Sequence, residues 1–291
     1  MTLQSRIEAA ISSGTGQSAQ FAKTDIAHGG CINDSRIVTL TDGREFFVKT
    51  HPHANTFPGL FETEFKALTL LDEPEAIHVP KPVVYAEDFI VMEVFHEGSP
   101  AKDWQEQMGR SLASLHSATK KEQYGFVRDN YLGTTVQINK WCDNWLTFWR
   151  EQRLGWQLKL FSEKTNKDDA LLKAGEQLMN KLDDLLGDID EPAVLLHGDL
   201  WSGNAAANEK GEPVIFDPAS YYGHREAEIG MMRLFGGFGP RCEAAYQEVW
   251  PLEKGSEERI SLYRLYHELN HLNLFGRSYY QTCLSTIYSL L

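Results

Sequence analysis

The chain is poor in cysteine, in positive charge and in long apolar runs, and each shortage excludes something. Its four cysteines (Cys31, Cys142, Cys242, Cys283) lie far apart with no C-x-x-C pair. That rules out a disulfide scaffold or a thiolate zinc ribbon and fits reduced thiols in a cytoplasmic protein. Lysine and arginine total 28 against 41 acidic residues, a formal net charge of -13. A mean field of that sign repels nucleic acid and anionic membrane surfaces, while a few local cations can still hold a polyphosphate. It also tolerates cationic substrates. No apolar run approaches the ~20 residues of a membrane span. The opening "MTLQSRIEAAISSG" lacks a basic segment followed by an apolar one, so the expected location is cytoplasmic. Repeats and low-complexity tracts are missing too. What remains is ordinary globular usage, 42% hydrophobic and 24% charged over 291 residues, enough for one large domain or two lobes.

The pattern changes along the chain. Leu3 to Ser13 reads as a short amphipathic helix. "QFAKTDIAHGG", "SRIVTLTDG" and "REFFVKT" read as three strands of an antiparallel meander, divided by Gly-Gly and Asp-Gly turns. "FPGLFETEFKALTLL" has helical periodicity, with Phe61, Phe65, Leu68 and Leu71 on one face. "PVVYAED" and "FIVMEVF" add two strands. Beyond Asp103 the chain is mainly helical, with "WQEQMGRSLASLHS", "WCDNWLTFWREQRLGWQL" and "DDALLKAGEQLMNKLDDLL" each several turns long. Only "AVLLHGDL" and "PVIFDPA" look like strands there, and three or four helices follow. The expected architecture is α+β and two-lobed, a small β-rich lobe over residues 1–95 and a larger helical lobe over 96–291. His96 to Pro100, "HEGSP", is the one plausible linker.

Three motifs carry little. "GTGQSA" fits a loose dinucleotide pattern but follows a helix rather than a strand. "HELNH", His267 to His271, matches a zinc-protease pattern. No His, Asp or Glu follows it to supply a third ligand, and its helix is rich in apolar and aromatic residues, so core histidines are expected. "HPH", His51 to His53, lacks acidic or thiol partners and reads as a loop.

"LLHGDLWSGN" is different. Asp199 and Asn204 are five apart, and "VIFDPA" ends an apolar strand on Asp217. Asp-x-x-x-x-Asn followed by a strand-terminal Asp is the arrangement of protein-kinase-like enzymes. There the first Asp handles the proton of the acceptor hydroxyl, and the Asn and second Asp hold Mg²⁺. The hard cation wants a carboxylate and an amide oxygen. Alone, the stretch is equally a capped turn. Upstream, Lys49 ends the strand "FFVK", where a lysine reaches the phosphates of ATP, and Glu64 lies fifteen residues on in the helix. Glu62 beside it is an equal candidate for a surface position. Gly29 and Gly30 of "HGGCIND" let backbone N–H groups approach phosphate. The order Gly turn, strand Lys, helix Glu, linker, H-x-D-x-x-x-x-N and strand Asp is what chance does not readily supply. ATP is then expected between the lobes, its adenine on backbone groups from Glu93 to Phe95.

"HGDL" in this order resembles the aminoglycoside phosphotransferase and choline kinase group. "LLHGDLWSGN", "FDPASYYGHRE", "LFGGF" and "LYHELNHLNLFG" together resemble the fructosamine kinase (ketosamine-3-kinase) family. The likeness runs nearly end to end, and Trp201-Ser202 after HGDL is its most distinguishing piece. It implies ATP-dependent phosphorylation of the sugar 3-hydroxyl of ketoamines such as fructosamines and ribulosamines, the products of glycation. By position it makes Asp199 the base, Asn204 and Asp217 the magnesium ligands and Lys49 the phosphate lysine. It also implies structural support from His197 and from Glu228, where related small-molecule kinases tend to carry Asp, and redox control at Cys31. Trp201 and Tyr222 have aromatic faces suited to the C–H face of a sugar. An amine kinase of the aminoglycoside or choline type is the alternative reading, and a catalytically silent scaffold a more distant one.

Overall fold

The structure is a computed structural model that describes residues 1–27, 34–164 and 168–291. Helix α1 (Leu3–Thr15) begins where the Thr2 hydroxyl accepts the Ser5 N–H and ends at Gly16, whose φ of 69° stops the helix. Strands β1 (Phe21–Ile26), β2 (Asp34–Leu40) and β3 (Glu45–Thr50) form the expected meander. After helix α2 (Leu60–Asp72), β4 (Pro82–Tyr85) and β5 (Phe89–Glu93) complete an antiparallel sheet of order β1-β2-β3-β5-β4.

Strand alternation gives this sheet two different faces. Val38, Leu40, Phe46, Val48, Phe89 and Val91 point toward Ile7 and Ile11 of α1, forming a small core of their own. Residues of the other parity on β3, Phe47 and Lys49, face α2 and the lower lobe. A one-residue change of register would therefore bury Val48 in the cleft and put Lys49 under α1.

The lower lobe opens with α3 (Trp104–Ala118), packed along a later helix so closely that a Cβ on Gly109 would collide with the Cys242 carbonyl. A hairpin of two three-residue strands follows, β6 (Asn130–Leu132) and β7 (Thr135–Gln137). The helix expected from Trp141 starts instead at Trp145. Tyr124 and Cys142 exchange backbone hydrogen bonds of 2.9 Å, and the Asn144 side chain caps the Thr147 N–H at 2.8 Å. It runs as α4 (Trp145–Trp149), one π turn at Arg150–Leu154, and α5 (Gly155–Ser162). Helices α6 (Asp169–Asn180) and α7 (Leu182–Leu186) break at Lys181.

Strand β8 (Val194–Leu196) is fully buried. The hairpin β9 (Ala205–Ala207) and β10 (Pro213–Ile215) follows, then β11 (Tyr221–Gly223), which returns antiparallel to β8. Helices α8 (Glu226–Leu234), α9 (Pro240–Val249), α10 (Ser256–Phe275) and α11 (Tyr280–Leu290) close the lobe. Among the described residues no helix is long and apolar enough to cross a membrane.

The expected linker is not free. Gly98 N–H donates to the Ala207 carbonyl at 2.9 Å, Glu97 pairs with Asn208, and Ala101 N–H donates to Gly211 at 3.1 Å. The upper lobe is also held behind the cleft, where Ile215 N–H donates to the His78 carbonyl at 3.0 Å.

Candidate active site

Lys49 is 4% exposed and its ammonium sits between two carboxylates, Glu64 at 2.5 Å and Asp217 in direct contact. Burial disfavours its charge, but the two carboxylates outweigh that and hold the lysine above its ordinary range. Glu64 is the buried member of the two candidates because Phe61, Leu68 and Leu71 define the inward stripe of α2 and position 64 falls on it. Burial and the nearby Asp217 push Glu64 upward against the pull of Lys49. Glu62 lies off the stripe and pairs with Lys66 and Arg128 at the surface.

Asp217 follows β10 and Phe216 with a φ of 59°, a left-handed conformation unusual for a residue with a side chain. Such strain persists only where surroundings enforce it. Here they do so on both sides. Phe216 N–H donates to the Asn204 carbonyl at 3.0 Å, Ala219 N–H to the His197 carbonyl at 2.9 Å. The next two carbonyls are gripped from the β6–β7 hairpin, Ala219 by Gln137 Nε2 at 2.9 Å and Ser220 by Asn130 Nδ2 at 2.8 Å. Arg153, buried in the π turn, joins through Asn139 and Asn130 to the same network.

The loop carrying Asp199 is braced from behind. The Glu228 carboxylate accepts the N–H groups of His197 at 2.5 Å and Gly198 at 3.1 Å. His197 Nε2 bonds to the Phe216 carbonyl at 2.8 Å, tying the two aspartate loops together. Burial keeps this imidazole below its usual range, hence neutral, so Nε2 is the donor and Nδ1 accepts the Asp199 N–H at 3.3 Å. Gly198 has a φ of 83° and lies so close to Ala219 that a Cβ would collide with its carbonyl.

Asp199 remains partly open to the cleft. Its carboxyl is held well above the usual carboxylate range, by desolvation first and by the charge of Asp217 second. Asn204 Nδ2 donates to its Oδ2 at 3.1 Å and to its carbonyl at 2.9 Å. With Nδ2 so committed, no donor among the described residues reaches Asn204 Oδ1. The Asn204 amide oxygen and the Asp217 carboxylate, on loops tied by the Phe216–Asn204 backbone bond, are hard donors of the kind that fit a divalent cation such as Mg²⁺.

Trp201 is 36% exposed, with its ring over Gly203 and edge-on to Phe235 at 5.7 Å. Phe95 lies against Phe216 at 5.5 Å, and Glu93 donates its N–H to Lys81. Gly29, Gly30 and Cys31 lie outside the described residues. Tyr222 lies on β11. Its nearness in sequence to Asp217 suggested a place beside the acceptor, but β11 doubles back beside β8. That puts Tyr222 level with Leu195, and its ring meets Trp141 at 6.0 Å and Lys121 at 4.5 Å.

The two histidines of "HELNH" pack among aromatic rings. His267 is buried against Tyr266, and His271 Nδ1 donates to the His267 carbonyl at 2.8 Å. No group of three or more His, Cys, Asp or Glu among the described residues is placed to hold a metal.

A small antiparallel lobe over a helical one, with lysine, glutamate and two aspartate loops meeting between them, defines a protein-kinase-like phosphotransferase. An amicoumacin kinase solved in complex with AMP-PNP, Ca²⁺ and Ami has this fold, with a TM-score of 0.64 at 16% identity over 93% of this chain and 88% of that one. Nearer in sequence, the chain is 41% identical over 279 residues to a chloroplastic protein-ribulosamine 3-kinase of Oryza sativa subsp. japonica, covering 94% of this chain and 80% of that protein. A structure described as a candidate fructosamine-3-kinase from Thermobifida fusca superposes with a TM-score of 0.89 at 31% identity, covering 99% of this chain and 98% of that one. The chain matches the fructosamine kinase family over residues 3–291 and belongs to it.

Proposed function

We propose that the protein transfers the γ-phosphoryl group of Mg-ATP to a sugar hydroxyl of a ketoamine, O3 by analogy with its relatives, in the reversal of glycation. The observation that carries this reading is the single buried ammonium of Lys49 shared by Glu64 and Asp217, across the cleft from a proton-hungry Asp199. Phosphoryl transfer asks for little covalent help from a protein and much positioning and charge neutralisation. In this reading residues 1–95 bind the nucleotide and residues 96–291 the acceptor.

Asp199 orients the acceptor hydroxyl and takes its proton as the O–P bond forms and the β–γ bridge breaks, releasing ADP. Burial and the neighbouring Asp217 raise its proton affinity above that of an ordinary carboxylate, the direction a general base needs. Lys49, held by Glu64, is ready to meet the phosphates. Asn204 and Asp217 are the residues for Mg²⁺, which when bound would neutralise phosphate charge. Gly29 and Gly30 offer backbone N–H groups to phosphate, and the backbone from Glu93 to Phe95 takes the adenine. Glu228 and His197 keep the loop in place. Trp201 supplies the aromatic face for the sugar.

The test is a panel of acceptors with Mg-ATP, read by ADP release and by phosphorus NMR of the product. Fructosamine or ribulosamine phosphorylated at O3 is the expected result. Turnover of an aminoglycoside or choline with no ketoamine turned over would replace the substrate and keep the kinase.

A further inference from the structure

His116 is a titratable side chain that the proposed chemistry does not use, buried where the pattern of α3 calls for an apolar one. Met108, Leu112, Leu115 and His116 share the inward stripe of the helix, and all four are 0% exposed. A polar ring in such a place costs stability unless its nitrogens are hydrogen-bonded. One nitrogen is accounted for, since Nδ1 lies 2.9 Å from the hydroxyl of Tyr246, itself buried on α9. The other is not. Nε2 has no hydrogen-bond partner among the described residues, and it stands 3.8 Å from Glu228 Oε2.

Glu228 is the carboxylate that braces the catalytic loop. It accepts the His197 N–H on one oxygen and the Gly198 N–H on the other, and no lysine or arginine among the described residues pairs with it. Each carboxylate oxygen has room for a second donor. A carboxylate facing Nε2 draws the ring hydrogen to that nitrogen, which leaves Nδ1 to accept the Tyr246 O–H. Arg225, whose guanidinium lies 5.8 Å from the Tyr246 ring, can only donate and offers that hydroxyl no competing acceptor. Burial holds His116 below its usual range against the pull of Glu228, so the ring is neutral and carries one hydrogen. At 3.8 Å the pair is a charge–dipole contact, and an approach of less than about 1 Å makes it a hydrogen bond. One turn further on, Thr119 Oγ1 accepts the Leu195 N–H at 3.1 Å. Helix α3 thus backs both the strand that leads into the catalytic loop and the carboxylate that holds it.

Resting on the ketoamine-kinase reading, we propose that His116 is a positioning residue for phosphoryl transfer. Its Nε2–H restrains the Glu228 carboxylate, which restrains the N–H groups of His197 and Gly198, and these set where Asp199 meets the acceptor hydroxyl. Tyr246 fixes the tautomer that makes His116 a donor. Three helices, α3, α8 and α9, are thereby joined behind one loop. A displacement of roughly 1 Å in reacting groups costs on the order of a hundredfold in rate. A brace of this kind therefore acts on kcat and leaves the affinity for both substrates alone.

The experiment uses two amides that each copy one half of the imidazole. His116→Gln places an amide N–H where Nε2 stood and loses the acceptor for Tyr246. His116→Asn keeps an acceptor at the place of Nδ1 and loses the donor toward Glu228. With Mg-ATP and a ketoamine, His116→Asn should lower kcat roughly ten- to a hundredfold with each KM within about twofold, and His116→Gln should recover most of it. The amide proton shifts of His197 and Gly198 should move in His116→Asn and stay near wild type in His116→Gln. Thermal melting reads folding separately. Should His116→Asn not fold, Tyr246→Phe carries the same test, because it frees the tautomer and leaves the ring in place; unchanged kcat and unchanged shifts there end the proposal. Wild-type kcat in His116→Asn, equal losses in His116→Asn and His116→Gln, or a loss confined to melting temperature overturns it while the kinase reading stands. If wild type turns over no ketoamine, the reading beneath falls, and the two amide shifts alone decide for or against the brace.

Discussion

Arg225 and Arg259 in the lower lobe and Lys49 in the cleft are all buried cations, but the charges around them do not add up in the same way. Arg225 forks onto Glu191 at 2.7 and 2.8 Å and spends further donors on the carbonyls of Trp250 and Pro251. Arg259 forks onto Glu226 with two bonds of 2.7 Å and reaches the Lys254 carbonyl at 2.8 Å. Each guanidinium has one carboxylate of its own. Although burial works against it, His224 and Arg225 pull Glu191 down to about 2. In the cleft one ammonium serves Glu64 and Asp217, and Asp199 stands nearby with no cation of its own among the described residues. The matched pairs complete a structure. The unmatched cluster has a deficit of positive charge that a metal and a proton-bearing acceptor are suited to fill.

The largest expected effect lies in the deficient cluster. Asp199→Asn should cut turnover by about 10²–10⁴, the range for loss of a general base. Its melting temperature should stay level or rise, because an uncompensated buried carboxyl is removed. Turnover like wild type, or a clear loss of stability, would break the contrast. The matched cluster should respond in the opposite sense. Arg259→Met leaves Glu226 buried without a cation, at about 3–5 kcal/mol, while activity per folded molecule holds. Urea melts measure the first and active-site titration the second, and adding Glu226→Gln should recover part of the loss.

An effect outside both clusters depends on pH. His267, buried near the charge of Arg153, has its proton affinity lowered from the usual 6.5 to about 3, by desolvation first. The unfolded chain therefore binds a proton below pH 6.5 that the folded chain refuses until about 3. Stability is full above 6.5 and falls through that window by about 1.4 kcal/mol per pH unit. His267→Gln should flatten the slope of denaturation midpoint against pH, and an unchanged slope would move its origin elsewhere. The smallest effect is at the surface. Glu62→Ala should change stability by no more than about 1 kcal/mol and leave the KM for ATP alone, whereas Glu64→Gln should raise it.

The upper lobe was readable because β2 buries alternate residues, β5 is a continuous apolar run, and α1 and α2 carry apolar stripes between turn signals. Position 64, not 62, shares a stripe with Phe61, Leu68 and Leu71, which separates the buried glutamate from the surface one. The aspartate loops were readable because their residue types and spacing are set by chemistry. The β6–β7 hairpin was not. Asn130, Gln137 and Asn139 look like loop residues in "RDNYLGTTVQINK", and their burial comes from distant partners such as Ala219, Ser220 and Arg153. β8 and β10 are equally short but stand out as apolar runs, whereas the Ala-Ala-Ala of β9 and the Tyr-Tyr-Gly of β11 show neither run nor period and were missed as well. Without β11 the return of the chain beside β8 was hidden, and Tyr222 was placed by sequence neighbourhood alone.

Backbone hydrogen bonds tie the upper lobe and the linker to the β9–β10 hairpin, His78 to Ile215 behind the cleft and Gly98 to Ala207 at the linker. Side-chain bonds from Arg128 and Tyr131 to Pro58 and Glu62 also span the lobes. Two pins on one leaf make a door. Rotation about the line through them leaves both hydrogen bonds intact, whereas a twist across that line must break at least one, at about 1 kcal/mol net. A swing about the two backbone pins has to release the Arg128 and Tyr131 contacts at Pro58 and Glu62, while amide exchange at Ile215 and Gly98 should stay slow throughout a cycle of nucleotide entry and departure.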